Sequence, residues 1–173
     1  MYTMRIQLLT DSSQFQQLVD VMLRFNEICN FISQIGIETK TQRNKMKLSK
    51  ECYAKVRESY NPPAQMIVRA VGKVVEAYKS GSKSFLSFGE HTSVVYDTRL
   101  LTFKWMQMVS IATFEGRIDI PIQITGYRKG AYDRRVIGLA DLILENEVFY
   151  LLLPVELPES ANINSIEFTE IAI

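Results

Sequence analysis

The spacing of apolar residues changes twice along the chain, and the order of those changes restricts the fold more than any other feature of the sequence. Tyr2, Met4, Ile6 and Leu8 alternate with Thr3, Arg5 and Gln7, the period of a strand with one buried face. The period then lengthens. Asp11-Ser12-Ser13 offers a helix cap, with Gln16 three residues after Ser13 to close a capping box. Phe15, Leu18, Val19, Met22, Phe25, Cys29 and Ile32 follow at helical spacing, and Gly36 predicts a stop. From Glu38 to Ser49 the chain is polar and basic without periodicity, which predicts a mobile loop, either a solvated linker or a phosphate-seeking segment. A second helix is predicted from Lys50 to Ser59, broken by Asn61-Pro62-Pro63. A third begins at those prolines, where missing amide protons cost nothing, and runs to about Lys79. Met66, Ile67, Ala70, Val71, Val74 and Tyr78 form its apolar face. Gln65, Arg69, Lys73 and Glu76 form a polar stripe on the other side, either a solvated helix face or a contact surface.

After Ser80-Gly81-Ser82 the period returns to two. Ser93–Asp97, Leu100–Trp105 and Met108–Thr113 read as short strands and Phe114-Glu115-Gly116 as a turn. Ile118, Ile120, Ile122 and Ile124 mark a further strand, which Pro121 assigns to an edge or a bulge. Val136–Leu144 and Val148–Val155 read as a hairpin across Glu145-Asn146-Glu147. The expected class is therefore α+β, an antiparallel β-barrel with a helical subdomain inserted after its first strand. Residues 1–10 hold that strand, 11–82 the helical insert, 83–160 the rest of the barrel and 161–173 a tail. An isolated strand needs a partner, and only the later strands can supply one.

The balance of 20 basic against 19 acidic residues conceals a segregation along the chain. Residues 40–83 carry eleven basic groups against three acidic ones, whereas residues 137–173 carry seven acidic groups and no basic one. A basic block of this density is the electrostatic footprint that phosphate backbones require. No run approaches the roughly 18 apolar residues of a membrane span, and the alternating start is unlike a signal peptide, so a cytoplasmic protein without a membrane partner is expected. Cys29 and Cys52, the only cysteines, lack zinc-site pairing and read as buried free thiols. His91, the only histidine, stands in a loop-like stretch without ligand partners, so the reading includes no metal and no cofactor.

Several stretches, taken in order, resemble the N-terminal region of TnpB (OrfB), the RNA-guided, transposon-associated nucleases of small insertion sequences, related to type V CRISPR effectors. They are Phe25-Asn26-Glu27-Ile28-Cys29-Asn30; Val56-Arg57-Glu58-Ser59-Tyr60 with Pro63-Ala64-Gln65-Met66; and Lys73-Val74-Val75-Glu76-Ala77-Tyr78-Lys79. Ser93-Val94-Val95-Tyr96-Asp97-Thr98-Arg99, Val109-Ser110-Ile111 with the Gly116-Arg117 turn, Gly138-Leu139-Ala140-Asp141-Leu142 and Phe149-Tyr150-Leu151 complete the series. The resemblance spans about 150 of the 173 residues. It implies a wedge-type barrel interrupted by a helical recognition lobe, the element order already reached from periodicity. It further implies that the strand bearing the first catalytic aspartate of a RuvC-like nuclease would come next, with Ile166–Ile173 as its approach. No catalytic residue is therefore expected here.

The reading that follows is a non-catalytic module that holds guide RNA on the barrel and contacts target-adjacent double-stranded DNA with the helical lobe. In that division of labour base pairing reads the sequence, and the protein reads backbone, shape and a short flanking motif. The DNA-binding candidates are Lys40, Arg43, Lys45 and Lys47, then Arg69 and Lys73 for phosphate, with Gln65 able to pair bidentately with adenine. The RNA-binding candidates are Arg99, Lys104, Arg117, Tyr127, Arg128, Lys129, Tyr132, Arg134 and Arg135. The last six interleave aromatic and cationic groups, as stacking beside phosphate requires, or form an ordinary polar loop. Two alternatives stand beside this reading. One is half of a split endonuclease that needs a RuvC-bearing partner in trans; the other is a fragment acting only in protein interaction.

Overall fold

A computed structural model of the chain describes residues 2–81, 84–104, 107–124 and 138–155. The opening alternation forms β1 (Tyr2–Leu8), and α1 (Ser12–Thr39) follows. Asp11 is the N-cap and Gln14 completes the box: the Asp11 carboxylate accepts from the Gln14 amide at 2.8 Å and the Gln14 side chain accepts from the Asp11 amide at 3.1 Å. The box thus lies two residues before the expected one, and Gln14 also donates to the Asp119 carbonyl, which pins the helix start to the sheet.

The predicted loop over residues 38–49 is confined to a turn at residues 40–44. Helix α1 continues through Gly36 to Thr39, where Lys40 at φ 57° ends it, and α2 (Lys45–Tyr60) begins after the N-cap Asn44. Gly36 serves a different purpose from the expected stop. A Cβ there would lie 3.1 Å from the Gln42 Cα, so the missing side chain lets the α1–α2 turn fold back tightly against the helix. Helix α2 buries only Leu48, Cys52 and Val56, a single stripe at four-residue spacing on an otherwise hydrophilic helix. Helix α3 (Ala64–Lys79) starts after Pro63 as predicted and buries Met66, Ile67, Ala70, Val71, Val74, Val75 and Tyr78.

The remaining strands are β2 (Val94–Tyr96), β3 (Leu101–Lys104), β4 (Met108–Thr113), β5 (Gly116–Ile124), β6 (Ala140–Glu145) and β7 (Val148–Val155). They form one antiparallel sheet with β1 in the order β2-β6-β7-β1-β5-β4-β3. The first strand does rejoin the later ones, and it occupies the centre. Ile6 faces Leu151 of β7 on one side and Ile124 of β5 on the other. The two edge strands, β2 and β3, are nevertheless separated only by residues 97–100 of the chain, so the sheet must curl to bring its edges together. Tyr96 Oη donates to the Ala112 carbonyl at 2.9 Å and the Ala112 amide donates to Leu100 at 2.8 Å, bonds that join the β2 end to β4. No ladder pairs β2 with β3, so the sheet is a curled half-barrel and the closed barrel of the sequence reading is not formed among the described residues.

Pro121, expected at an edge or a bulge, lies in an interior strand. Residues 116–121 of β5 pair with β4 and residues 122–124 pair with β1, so the proline stands where the strand passes from one neighbour to the other. There its missing amide proton removes no rung of either ladder's interior. The β6–β7 hairpin turns on Asn146 and Glu147 at φ 49° and 61°, the left-handed pair that matches strand twist.

Buried apolar residues of all three helices and the sheet form one continuous core. Phe15 of α1 meets Phe149 of β7 with ring centroids 5.2 Å apart. The segment between α3 and β2 is fixed to α1 by side chains rather than by a strand. Ser33 donates to the Leu86 carbonyl, Asn30 bonds both the amide and the carbonyl of Phe88, and Asn26 donates to the carbonyls of Glu90 and Thr92. The spacing explains the match. Four helical residues rise about 6 Å and two extended residues about 6.6 Å, so consecutive turns of a helix can grip alternate residues of an extended chain. Both cysteines are buried free thiols. Burial pushes Cys29 up to about 12 and Cys52 up to about 11. No helix among the described residues is long and apolar enough to cross a membrane.

Candidate nucleic-acid interface

Three of the four residues in the polar stripe of α3, Gln65, Arg69 and Lys73, turn toward the protein, where their partners lie on α1 and on the segment that leads into and out of β2. Lys73 Nζ donates to Asn26 Oδ1 and Thr92 Oγ1, each at 3.0 Å, and to the Ser93 carbonyl, and it lies 5.5 Å and 5.4 Å from the ring centroids of Phe25 and Phe88. Desolvation pulls its pKa below the ordinary lysine value, although Cys29 and Asp141 act to raise it. Asp141 on β6 is shifted the opposite way, upward, by its own burial. Lys73 therefore ties α1 and α3 to the segment that enters β2.

One turn earlier on the helix, Arg69 Nε lies 3.3 Å from Asp97 Oδ2 without hydrogen-bond geometry, a partly buried electrostatic pair with side-chain exposures of 17% and 14%. Gln65 donates through Nε2 to the same Asp97 oxygen and accepts through Oε1 from Arg99 Nη1 at 3.2 Å. Asp97 Oδ1 in turn accepts from the Arg99 amide at 2.9 Å. Of the stripe, only Glu76 stands fully in solvent, where it pairs with Lys79.

Beyond Gln65 opens a cleft of about 500 Å³ between the α2–α3 junction and the β3–β5 end of the sheet. Arg57, Arg99 and Arg117 all line it, with Pro62, Gln65 and Phe114, and no carboxylate is among its lining residues. Arg57 donates to the Pro62 carbonyl at 3.1 Å, just beyond the end of its own helix. Arg117 donates to Ser110 through Nε, to the Arg99 carbonyl through Nη1, and to Thr102 and the Ser110 carbonyl through Nη2, so its geometry is fixed by neutral acceptors, while Asp119, held by Lys104, feels its charge at longer range. Arg57 and Arg99 are exposed.

The other predicted residues distribute as follows. Lys40 is exposed at the end of α1; Lys45 and Lys47 stand exposed in the first turn of α2, a position that the helix dipole disfavours for cations. Arg43 lies in the turn between the two helices. Lys45 and Lys50 flank Met46 and Tyr53 in a shallow groove of about 470 Å³, and Lys50, Tyr53 and Arg57 continue along one helical face toward the arginine cleft. Lys104 is neutralised by Asp119 at 2.8 Å. Its hydrogen bond holds the Asp119 carboxyl below the usual range. Tyr127, Arg128, Lys129, Tyr132, Arg134 and Arg135 lie outside the described residues, as do Trp105 and the tail from 156 onward.

The sequence reading did not single out Arg57 or Asp97 as site residues. Both stood in the fragments that carry the family resemblance, but nothing in local spacing shows that an arginine on α2 and two more on the sheet share a cleft. Among the described residues no cluster of His, Cys, Asp or Glu could hold a metal ion. No protein-family description matches the chain, and a search of curated proteins finds no significant relative.

Proposed function

We propose that this chain is a nucleic-acid-binding module that does not itself cut, of the kind formed by the wedge and recognition domains of TnpB-type proteins. In this reading the curled sheet serves guide RNA and the helical part serves target-adjacent duplex. The observation that supports it is the cleft lined by Arg57, Arg99 and Arg117 and by no carboxylate, since guanidinium groups that converge in a concave, partly apolar surface attract phosphodiesters. The lysine-edged face of α2 extends the same potential away from the cleft. Arg69 and Lys73 contribute to it as scaffold, because their charges are held internally.

The test is the salt dependence of affinity for a labelled duplex and for the structured RNA transcribed beside the gene, each against an unrelated sequence of equal length. Replacing Arg57 and Arg99 together by alanine is expected to lower the slope of log affinity against log salt by up to about two on duplex, roughly one for each phosphate that is no longer neutralised. An unchanged slope would remove the cleft from the interface.

A further inference from the structure

Gln65 bridges a carboxylate and a guanidinium. The carboxylate only accepts and the guanidinium only donates, and a primary amide placed between them can serve both through separate atoms. Asp97 Oδ2 takes the Gln65 Nε2 proton and Arg99 Nη1 donates to Gln65 Oε1, so just one orientation of the amide satisfies both neighbours and the assignment is chemically forced. Asp97 also holds the Arg99 amide and Arg117 holds the Arg99 carbonyl. Arg99 is thus fixed at its amide, its carbonyl and its guanidinium, although it is an exposed residue on a short connection between two strands. Surface arginines ordinarily sample many rotamers, and ordering one in advance removes that cost from binding.

We infer that Gln65 and Asp97 are positioning residues that hold the Arg99 guanidinium ready at the cleft for a nucleic-acid phosphate. The inference deepens, and rests on, the nucleic-acid reading given above. Each polar atom of Gln65 already holds one protein partner, so the amide orders Arg99 before any nucleic acid arrives. Arg69 completes the arrangement as the cation beside Asp97, balancing a carboxylate that would otherwise compete for Arg99. Glutamate in place of Gln65 would set a second negative charge against Asp97, lysine would repel Arg99, and asparagine is a methylene shorter.

Two measurements test it. In the free protein, ¹⁵N relaxation of the Arg99 Nε–Hε group should report a rigid side chain in the wild type and a mobile one in Gln65→Ala and in Gln65→Met, which keeps the packing volume. On labelled duplex, Gln65→Ala should weaken binding about two- to tenfold, the range set by ordering one long side chain. That loss should vanish when Gln65→Ala is made in an Arg99→Ala background. Equal mobility of Arg99 with and without Gln65 would overturn the inference. So would a Gln65→Ala loss that persists undiminished without Arg99, which would mean that Gln65 touches nucleic acid itself. If the wild type binds no nucleic acid, the nucleic-acid reading and the phosphate role fail together, and the relaxation data still decide whether Gln65 orders Arg99.

Discussion

Replacing Lys73 with methionine separates a structural cation from a surface one. The ammonium donates to Asn26 Oδ1, Thr92 Oγ1 and the Ser93 carbonyl. Asn26 Oδ1 keeps a donor in Thr92 Oγ1 at 2.6 Å, so the Ser93 carbonyl is the acceptor that loses most. A bond from a charged donor contributes about 1.5–3 kcal/mol and an acceptor stranded by loss of its partner costs about 1–3 kcal/mol. Relief of the ammonium's desolvation offsets part of this, because the depressed pKa shows that burial already opposes the charge. The net loss should be about 2 kcal/mol, or a Tm lower by about 4–8 °C for a chain of this size. Urea unfolding measures it, with Lys79→Met as a solvent-facing control expected to change stability by less than about 0.5 kcal/mol. The pH dependence gives a second readout. With the folded pKa below the unfolded one, the unfolded chain holds the Lys73 proton more tightly between the two values, so this group's contribution to stability rises with pH through that window, and Lys73→Met abolishes the rise. A loss for Lys73→Met no larger than that of the control would show that the side chain is not the internal tie described here.

Asn30→Ala should free the Phe88 amide and carbonyl, destabilise the fold by about 1–3 kcal/mol and speed hydrogen exchange at Phe88 and Leu86; unchanged exchange would mean that the segment is held by other contacts. The Asp141 carboxyl should titrate above the ordinary aspartate value because burial disfavours its charge, and higher still in Lys73→Met, where the opposing ammonium is gone. Its stabilising balance accordingly falls as pH rises from the unfolded value through the folded one, and a carboxyl NMR midpoint at or below the ordinary value would contradict this. Neither Cys29 nor Cys52 should react with a thiol reagent in the native protein at neutral pH, both being buried with raised pKa values of about 12 and about 11; rapid labelling of Cys29 would contradict its place in the core.

Periodicity revealed most of the architecture: the lone first strand, the prolines that open α3 and the β6–β7 hairpin are all legible as residue spacing. It failed where burial is narrow. Helix α2 buries Leu48, Cys52 and Val56 amid lysines and glutamates, so its first turn read as loop although the four-residue stripe was present. The α3 stripe was legible as polar but not as internal, since whether Lys73 faces water or Asn26, Thr92 and Ser93 depends on partners remote in sequence. Pro121 misled for a related reason: its tolerance comes from a change of neighbour partway along β5, which no local pattern encodes. The arginine cleft was half legible. Arg99 and Arg117 were picked out, but their convergence with Arg57 follows from the curl that brings the β3–β5 end under the α2–α3 junction.

The central place of β1 has a consequence for the order in which the molecule can be made. The residues of β1 cannot take their final neighbours until residues 122–124 and 150–155 exist. At about 5–20 residues per second that wait is on the order of ten seconds. Helices α1 to α3 can meet one another in the meantime, since the residues that pack them together lie within the first 79. The sheet, by contrast, closes around a strand that has waited as an unpaired edge, and mutations that raise the hydrophobicity of Thr3, Arg5 or Gln7 on β1 should therefore lower yield on synthesis more than they lower the stability of the finished fold.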